Sequence, residues 1–431
     1  MSQALPVLAV AVLIVAAVSF YFKNNYATAG PAVIIAAFAG AFVAGMGFRP
    51  REVVEGMFGY FYPLLGVLCG MLFIRFLYDN GTFDVLFSRV AGMSGASRSI
   101  MLLLFIGLPG MITGSAAASL LTTGALAGKR LIRSGMDKTK ATVFVAAGSF
   151  IGMILPPMNI PAIITTSTSI ASGGYFAAYN GFTLPLLLMG LPALIVYGLM
   201  AAKDLPGTIK AEPAAGSGSA LVPIVVVILL VIAHDFLYSA IPFFLGYPLI
   251  FMIGAVLALF LGGGKKLDIL GSAVEAMRGI APSVAVAMAV GSLLEVYMMT
   301  GAAGYVGLAQ YFTDFRVVGL IFGLVMLALA LIFDAPTATV IAVLACFTGS
   351  NNDSYTGAAV STMPLFYAAI LAICAVICVR YGFGSRVAAA IGAGETGDKQ
   401  VVAGTLVPIV LVLAVGLCFA FFGESLVFLR V

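Results

Sequence analysis

The chain has 431 residues, of which 62% are hydrophobic and 9% charged, and its net charge is +4. That composition excludes a soluble globular protein and points to a polytopic membrane protein. The charge is too small to imply a polyanionic partner, so nucleic acid is not expected. One histidine and five scattered cysteines offer no metal-binding spacing.

In chain order, the first apolar runs of the ~20 residues needed to cross a bilayer fall near 5–22, 29–48 and 60–78. No Lys or Arg precedes the first, so it lacks the basic region of a cleaved signal peptide. The run 99–128 is too long for one simple span. It is interrupted by Thr113-Gly-Ser-Ala-Ala-Ala-Ser119, and the expectation is a re-entrant helical hairpin. Irregular backbone at membrane depth persists only where it is buried in protein or lines a wet cavity.

The run 142–172 contains a second break, Pro156-Pro157-Met-Asn159, followed by Thr165, Thr166, Ser167 and Thr168. Consecutive prolines remove amide donors and stop a helix. Carbonyls freed there can bind a small cation, and a helix restarting near Asn159 can face an anion. A proline kink packed by Ser and Thr is the alternative. A span at 182–202 completes the first half, and the Gly/Pro/Ser-rich stretch 203–220 reads as a flexible cytoplasmic linker.

The second half reads as spans 221–237, 241–262, 281–299, 356–379 and 401–422, with a second hairpin at 317–347. That hairpin is broken by Phe333-Asp-Ala-Pro-Thr-Ala-Thr339. An ionised carboxylate at this depth is costly and marks an ion path or a partner. Asp334, with Thr337 and Thr339, can supply hard oxygen ligands to sodium or carry a proton. Asp334 can equally cap the hairpin's second helix. The polar cluster Thr348–Tyr355 is either part of this region or an outside loop. Segment 380–400 reads as a polar loop. No buried Arg stands out to clamp a carboxylate. Arg75 and Glu295 read as side chains reaching for the interfaces.

The halves correspond. Val54-Glu55-Gly56-Met57 falls on Val274-Glu275-Ala276-Met277 at an offset of 220, as Gly59 falls on Gly279 and Gly81 on Gly301; Pro6 and Pro31 fall on Pro223 and Pro248 at 217. Residues 1–202 and 221–431 therefore read as two repeats joined by 203–220. Five spans and a hairpin in each would invert the second repeat. With the N-terminus outside, about 16 of the 21 basic residues face the cytoplasm, as the positive-inside rule requires. The equivalent segments 49–59 and 264–279 fit either surface-lying amphipathic arms or plain loops. The fold class expected is all-α, built from inverted repeats with paired hairpins.

The stretches Ile112–Ser119, Arg133-Ser-Gly-Met-Asp137-Lys and Ala146-Ala-Gly-Ser-Phe-Ile-Gly-Met-Ile-Leu-Pro-Pro157 resemble the large permease subunit of tripartite ATP-independent periplasmic (TRAP) transporters. That family belongs to a wider ion transporter superfamily. Its second broken helix carries a Thr-Pro-Pro element, where this chain has Ser361-Thr-Met-Pro364. The resemblance implies a sodium-coupled importer of small organic anions such as C4-dicarboxylates, working as an elevator, and the drive expected overall is a sodium or proton gradient. It implies no cofactor beyond a coupling sodium ion. It also implies a separate four-helix permease subunit and an extracytoplasmic solute-binding protein as partners. The setting would be a bacterial or archaeal cytoplasmic membrane and its lipid. Carried over, the substrate site would involve Thr113, Gly114, Ser115, Pro157, Asn159, Thr165 and Thr337. Sodium would meet Ser115, Pro156, Asn159, Asp334, Thr337 and Thr339. An integral-membrane enzyme is the competing class. The sequence has no His-Glu-x-x-His and no histidine dyad or Cys/His cluster to support one.

Overall fold

The computed structural model describes residues 4–21, 29–159, 183–210, 218–236, 245–262, 267–301, 383–394 and 398–422. The second hairpin (317–347), span 356–379, Thr165, Asp334, Thr337 and Thr339 lie outside these residues. The described residues form helices joined by turns, with no strand among them. In our numbering the helices are α1 (Ala4–Tyr21), α2 (Ala29–Val43), α3 (Pro50–Phe58), α4 (Phe61–Asp79), α5 (Thr82–Ala91), α6 (Gly95–Thr113), α7 (Ala116–Ser119), α8 (Ala125–Arg133) and α9 (Lys138–Ile154). After these come α10 (Thr183–Ala201), α11 (Val222–Phe236), α12 (Tyr247–Phe260), α13 (Ile269–Met299), α14 (Phe383–Ile391) and α15 (Asp398–Phe422). Four of them, α4, α6, α10 and α13, are long and apolar enough to cross a membrane. The chain is a multi-pass, all-helical membrane protein.

The helices sort into two groups by contact. In one, α13 packs on α2, α3 and α4, α12 packs on α4, and α1 and α11 flank α2 and α12. In the other, α9 lies against α6, α8, α10, α14 and α15. We call these the scaffold group and the hairpin group. They meet where α4 faces α6. A Cβ built on Gly70 would lie 2.8 Å from Ile112 Cγ2, and one on Gly66 would lie 3.1 Å from Met158 Cε. Glycines on α4 let the hairpin group approach this closely.

Helix ends follow local chemistry. Asp137 caps α9, its carboxylate accepting from the Lys140 amide at 3.1 Å. Asp268 caps α13 in the same way, from the Gly271 amide at 3.1 Å. Helices α4 and α13 end 220 residues apart, at Asp79 and Met299. Each is followed by one residue and then a left-handed glycine, Gly81 at φ 85° and Gly301 at φ 70°.

Several expectations need correction. Residues 269–279 are neither a loop nor a separate surface arm. They are the start of one helix that continues through Pro282 to Met299. At 31 residues α13 is about 46 Å long, well beyond the ~30 Å hydrocarbon core. Segment 49–59, by contrast, is a short helix, α3, that breaks from α4 at Gly59–Tyr60 and buries Val53 and Gly56 against α13. The loop 380–400 contains α14, which packs on α8 and α9.

The start of the linker is docked rather than loose. Arg98 donates from Nη1 to the Gly207 carbonyl (2.8 Å) and from Nη2 to the Pro206 carbonyl (2.7 Å). Lys140 pairs with Asp204 at 2.6 Å, and the Lys210 amide donates to Ser134 Oγ at 2.9 Å. Leu205 and Ile209 are buried. Composition marks this segment as polar, but its carbonyls are acceptors that a buried arginine can use. Two arginines among the described residues are buried, Arg98 and Arg130, where none stood out in the sequence. Both sit toward helix ends, away from the hairpin tip. Arg75 does not simply reach for the interface. It donates to Asp79 at 2.7 Å, and Asp79 also accepts from Ser272 Oγ at 2.5 Å, at an open cleft of about 710 Å³.

Candidate functional site

The first predicted hairpin is a hairpin, with longer arms than the sequence suggests. One arm is α6. The other runs from Ala116 through α7, a π-helical turn over Leu120–Gly124, and α8 to Arg133. Between them lie Gly114, left-handed at φ 65°, and Ser115, extended at φ −126° and ψ 118°. Gly114 ends α6 as a glycine cap does, its amide donating to the Gly110 carbonyl at 2.7 Å.

The arms are joined by hydroxyls around Pro109. A proline inside a helix removes one amide and crowds the carbonyl four residues earlier. The second arm sets hydroxyls against the backbone on either side of it. Ser119 Oγ accepts from the Gly110 amide at 2.7 Å and lies 3.4 Å from the Gly107 carbonyl. Thr123 Oγ1 donates to the Ile106 carbonyl at 2.9 Å. All of these groups are buried. Sequence reasoning missed this role of Ser119 and Thr123. The available signal was a proline in one arm facing hydroxyls spaced by four in the other.

Ser119→Ala is expected to remove the hydroxyl that the buried Gly110 amide bonds and to destabilise the hairpin by about 1–3 kcal/mol. Ser119→Thr, which keeps a hydroxyl, should lose less. Thermal unfolding in micelles checks both. Equal midpoints for wild type and Ser119→Ala would remove the hydroxyl from the hairpin's support.

The double-proline break lies beside the tip. Helix α9 ends at Ile154, and Leu155 turns to extended backbone at φ −64° and ψ 142°. The Pro156–Pro157 bond is cis. Asn159 then folds back, its Nδ2 donating to the Met153 carbonyl at 3.0 Å. Next to it the Met158 amide donates to the Met111 carbonyl of α6 at 3.0 Å. A glycine crossing brings the two helices into register. A Cβ on Gly152 would overlap the Gly107 backbone, and one on Gly110 would lie 3.0 Å from Gly152 C.

Five expected site residues, Thr113, Gly114, Ser115, Pro157 and Asn159, are therefore in one buried neighbourhood, with Pro156 beside them. Their hydroxyls are not equivalent. Thr113 Oγ1 is committed to the Pro109 carbonyl at 2.6 Å. Ser115 does not cap the arm it begins, so its hydroxyl is not spent there. Ser149, one residue after Gly148 in the resembling motif, is fully buried, and its Oγ has no hydrogen-bond partner. The second arm starts at the tip with the free amides of a helix N-terminus. The neighbourhood thus combines a carbonyl-rich break, a helix start and two uncommitted hydroxyls. No group of three or more His, Cys, Asp or Glu that could hold a metal occurs among the described residues.

No protein-family model and no curated relative matches the chain by sequence. Solved structures do. The chain is similar to the YdaH transporter of Alcanivorax borkumensis, with a TM-score of 0.64 at 13% identity, covering 92% of this chain and 98% of that one. The fold is that of a known membrane transporter. A second likeness, to MtrF of Neisseria gonorrhoeae, has a TM-score of 0.57 at 12% identity and covers 92% of this chain and 94% of that one. MtrF is described as illuminating a class of antimetabolite efflux pumps. At these identities the likeness is one of fold, along almost the whole length of each chain.

Proposed function

We propose that the chain is a secondary active transporter that moves a small organic anion, such as a C4-dicarboxylate, on a sodium or proton gradient. The observation that carries this reading is the meeting of hairpin tip and double-proline break, tied by the Met158–Met111 backbone bond inside a transporter fold. Ser115, Pro156 and Asn159 would hold the coupling cation through oxygen atoms. Thr113, Gly114, Pro157, Thr165 and the helix start would contact the anion. Asp334, Thr337 and Thr339 would complete the site from the second hairpin.

The two repeats would be inverted, with residues 1–202 in one and 221–431 in the other. The matching ends of α4 and α13 and their paired glycines support that reading. The hairpin group would move against the scaffold group as an elevator. The glycine-lined face of α4 against α6 supports such a boundary. A separate four-helix subunit and a solute-binding protein are partners of the TRAP-like version of this reading. The wider superfamily version works alone.

Purified protein in liposomes tests the proposal. Uptake of labelled C4-dicarboxylates should rise with an inward sodium or proton gradient, and indifference to both would refute the coupling. Asp334→Asn should lower uptake about tenfold or more, because it removes an ion-binding charge at depth. Arg75→Gln should change uptake by less than about threefold, because its partner Asp79 sits near an open surface. The likeness to MtrF favours a second reading, in which the same site exports its anion. Loss of anion from preloaded vesicles against an opposing ion gradient would distinguish it.

A further inference from the structure

We propose that the Asn80–Gly81 junction is the hinge between the scaffold and hairpin groups, and that α5 travels with the hairpin group. This rests on the reading of two moving groups given above. The scaffold side of the junction is fixed by Asn80, which is 2% exposed and donates from Nδ2 to the Ala258 carbonyl of α12 at 2.9 Å. The same side chain accepts from the Thr82 amide through Oδ1 at 2.9 Å, which supplies the first turn of α5 with a cap. One buried side chain therefore holds the scaffold and the start of α5 at a single point.

Between them is Gly81 at φ 85°. Any residue with a Cβ resists that conformation, and asparagine resists it least. Turning about this residue carries the Thr82 amide away from Asn80 Oδ1, so that bond opens as the hinge swings while the bond to Ala258 holds.

Beyond Gly81 the charged and aromatic contacts of α5 go to the hairpin. Arg130, at the base of the hairpin's second arm, donates from Nη2 to Asp84 Oδ1 at 2.5 Å. Its guanidinium lies 4.8 Å from the centre of the Phe87 ring. Phe83 and Phe87 both meet Phe105 of α6 edge-on, at 5.9 Å and 5.6 Å. The charge pair and the aromatic trio bind α5 to both arms of the hairpin. Toward α11, the turn at Gly218 is met by the flexible end of Arg89. The anchoring on the hairpin side is charged, buried and aromatic. On the other side α5 packs on the end of α4 and on residues 218–221, and Asn80 bonds the Ala258 carbonyl.

The test uses spin-label distances in liposomes, on full-length protein with the native cysteines replaced. Labels go at Arg89→Cys on α5, Lys138→Cys on the hairpin group and Leu270→Cys on the scaffold group, all exposed positions. Distances are read in sodium and in choline, with and without an imposed membrane potential. The expected result is that the 138–270 and 89–270 distances shift together while 89–138 stays constant. A constant 89–270 distance with a shifting 89–138 distance would place α5 on the scaffold and overturn the hinge. If all three stay constant, the two-group motion itself fails, and the hinge fails with it.

A functional arm accompanies this. Gly81→Asn should keep uptake within about twofold, and Gly81→Val should lower it about tenfold, because only the first tolerates the left-handed backbone. Equal uptake by the two variants would overturn Gly81 as the pivot.

Discussion

Gly152→Val will cost the protein about 3 kcal/mol or more and abolish the folded hairpin group. A Cβ at this position would overlap both the Cα and the carbonyl of Gly107. The obstacle is backbone on both sides, so no side chain can rotate away, and α6 and α9 must separate. Overpacking of this kind costs about 1–3 kcal/mol even when neighbours can adjust. Separation would also pull the Met158 amide from the Met111 carbonyl, which ties the break to the tip. Gly148→Ala is the milder control, because its Cβ would meet the Ile106 side chain at 2.9 Å. Thermal unfolding in micelles should rank wild type above Gly148→Ala and that above Gly152→Val. If Gly152→Val keeps the wild-type midpoint, the helices do not cross at these glycines.

Arg130→Met is expected to destabilise by about 3 kcal/mol, because it breaks the ion pair of a buried guanidinium with Asp84. It also removes the guanidinium from the face of Phe87. The double variant Asp84→Asn with Arg130→Met should recover part of the loss, since both ends of the pair are then neutral. A double-mutant cycle of unfolding midpoints measures the coupling. Additive losses would mean that the two side chains do not act as a pair. Salt should weaken this pair little, because the Arg130 side chain is 8% exposed. The Arg51–Glu55 pair, with side chains 83% and 55% exposed, should contribute close to nothing.

The spans at 60–78 and 182–202 were legible because each is an uninterrupted apolar run of the right length, and both breaks of the first half were legible because Thr-Gly-Ser and Pro-Pro stop helices by themselves. What joins the breaks was not. The meeting of Gly107 with Gly152 depends on which faces of two apolar helices turn together. In a helix that is apolar all round, no polar stripe marks a face. Arg98 and Arg130 looked like loop charges because they stand near helix ends in basic surroundings. Their burial comes from acceptors distant in sequence, the carbonyls of 206–207 and Asp84. The linker was judged by composition, which does not say whether its carbonyls are claimed. Helix α13 was split in the sequence reading because its first ten residues carry charge. Its N-terminal cap and length make it one rod.

The proline in α6 has a consequence for how the protein is made. An arm with Pro109 entering lipid by itself would lack the bonds that the second arm gives to the Gly110 amide and the Ile106 carbonyl, and hydrocarbon offers no substitute. The missing partners, Ser119 and Thr123, are synthesised only after the tip has been passed. The first arm therefore has to wait at the translocation machinery or the interface until the second is available, and the pair enters the bilayer together. Biogenesis of this region should proceed in one step of about forty residues rather than helix by helix.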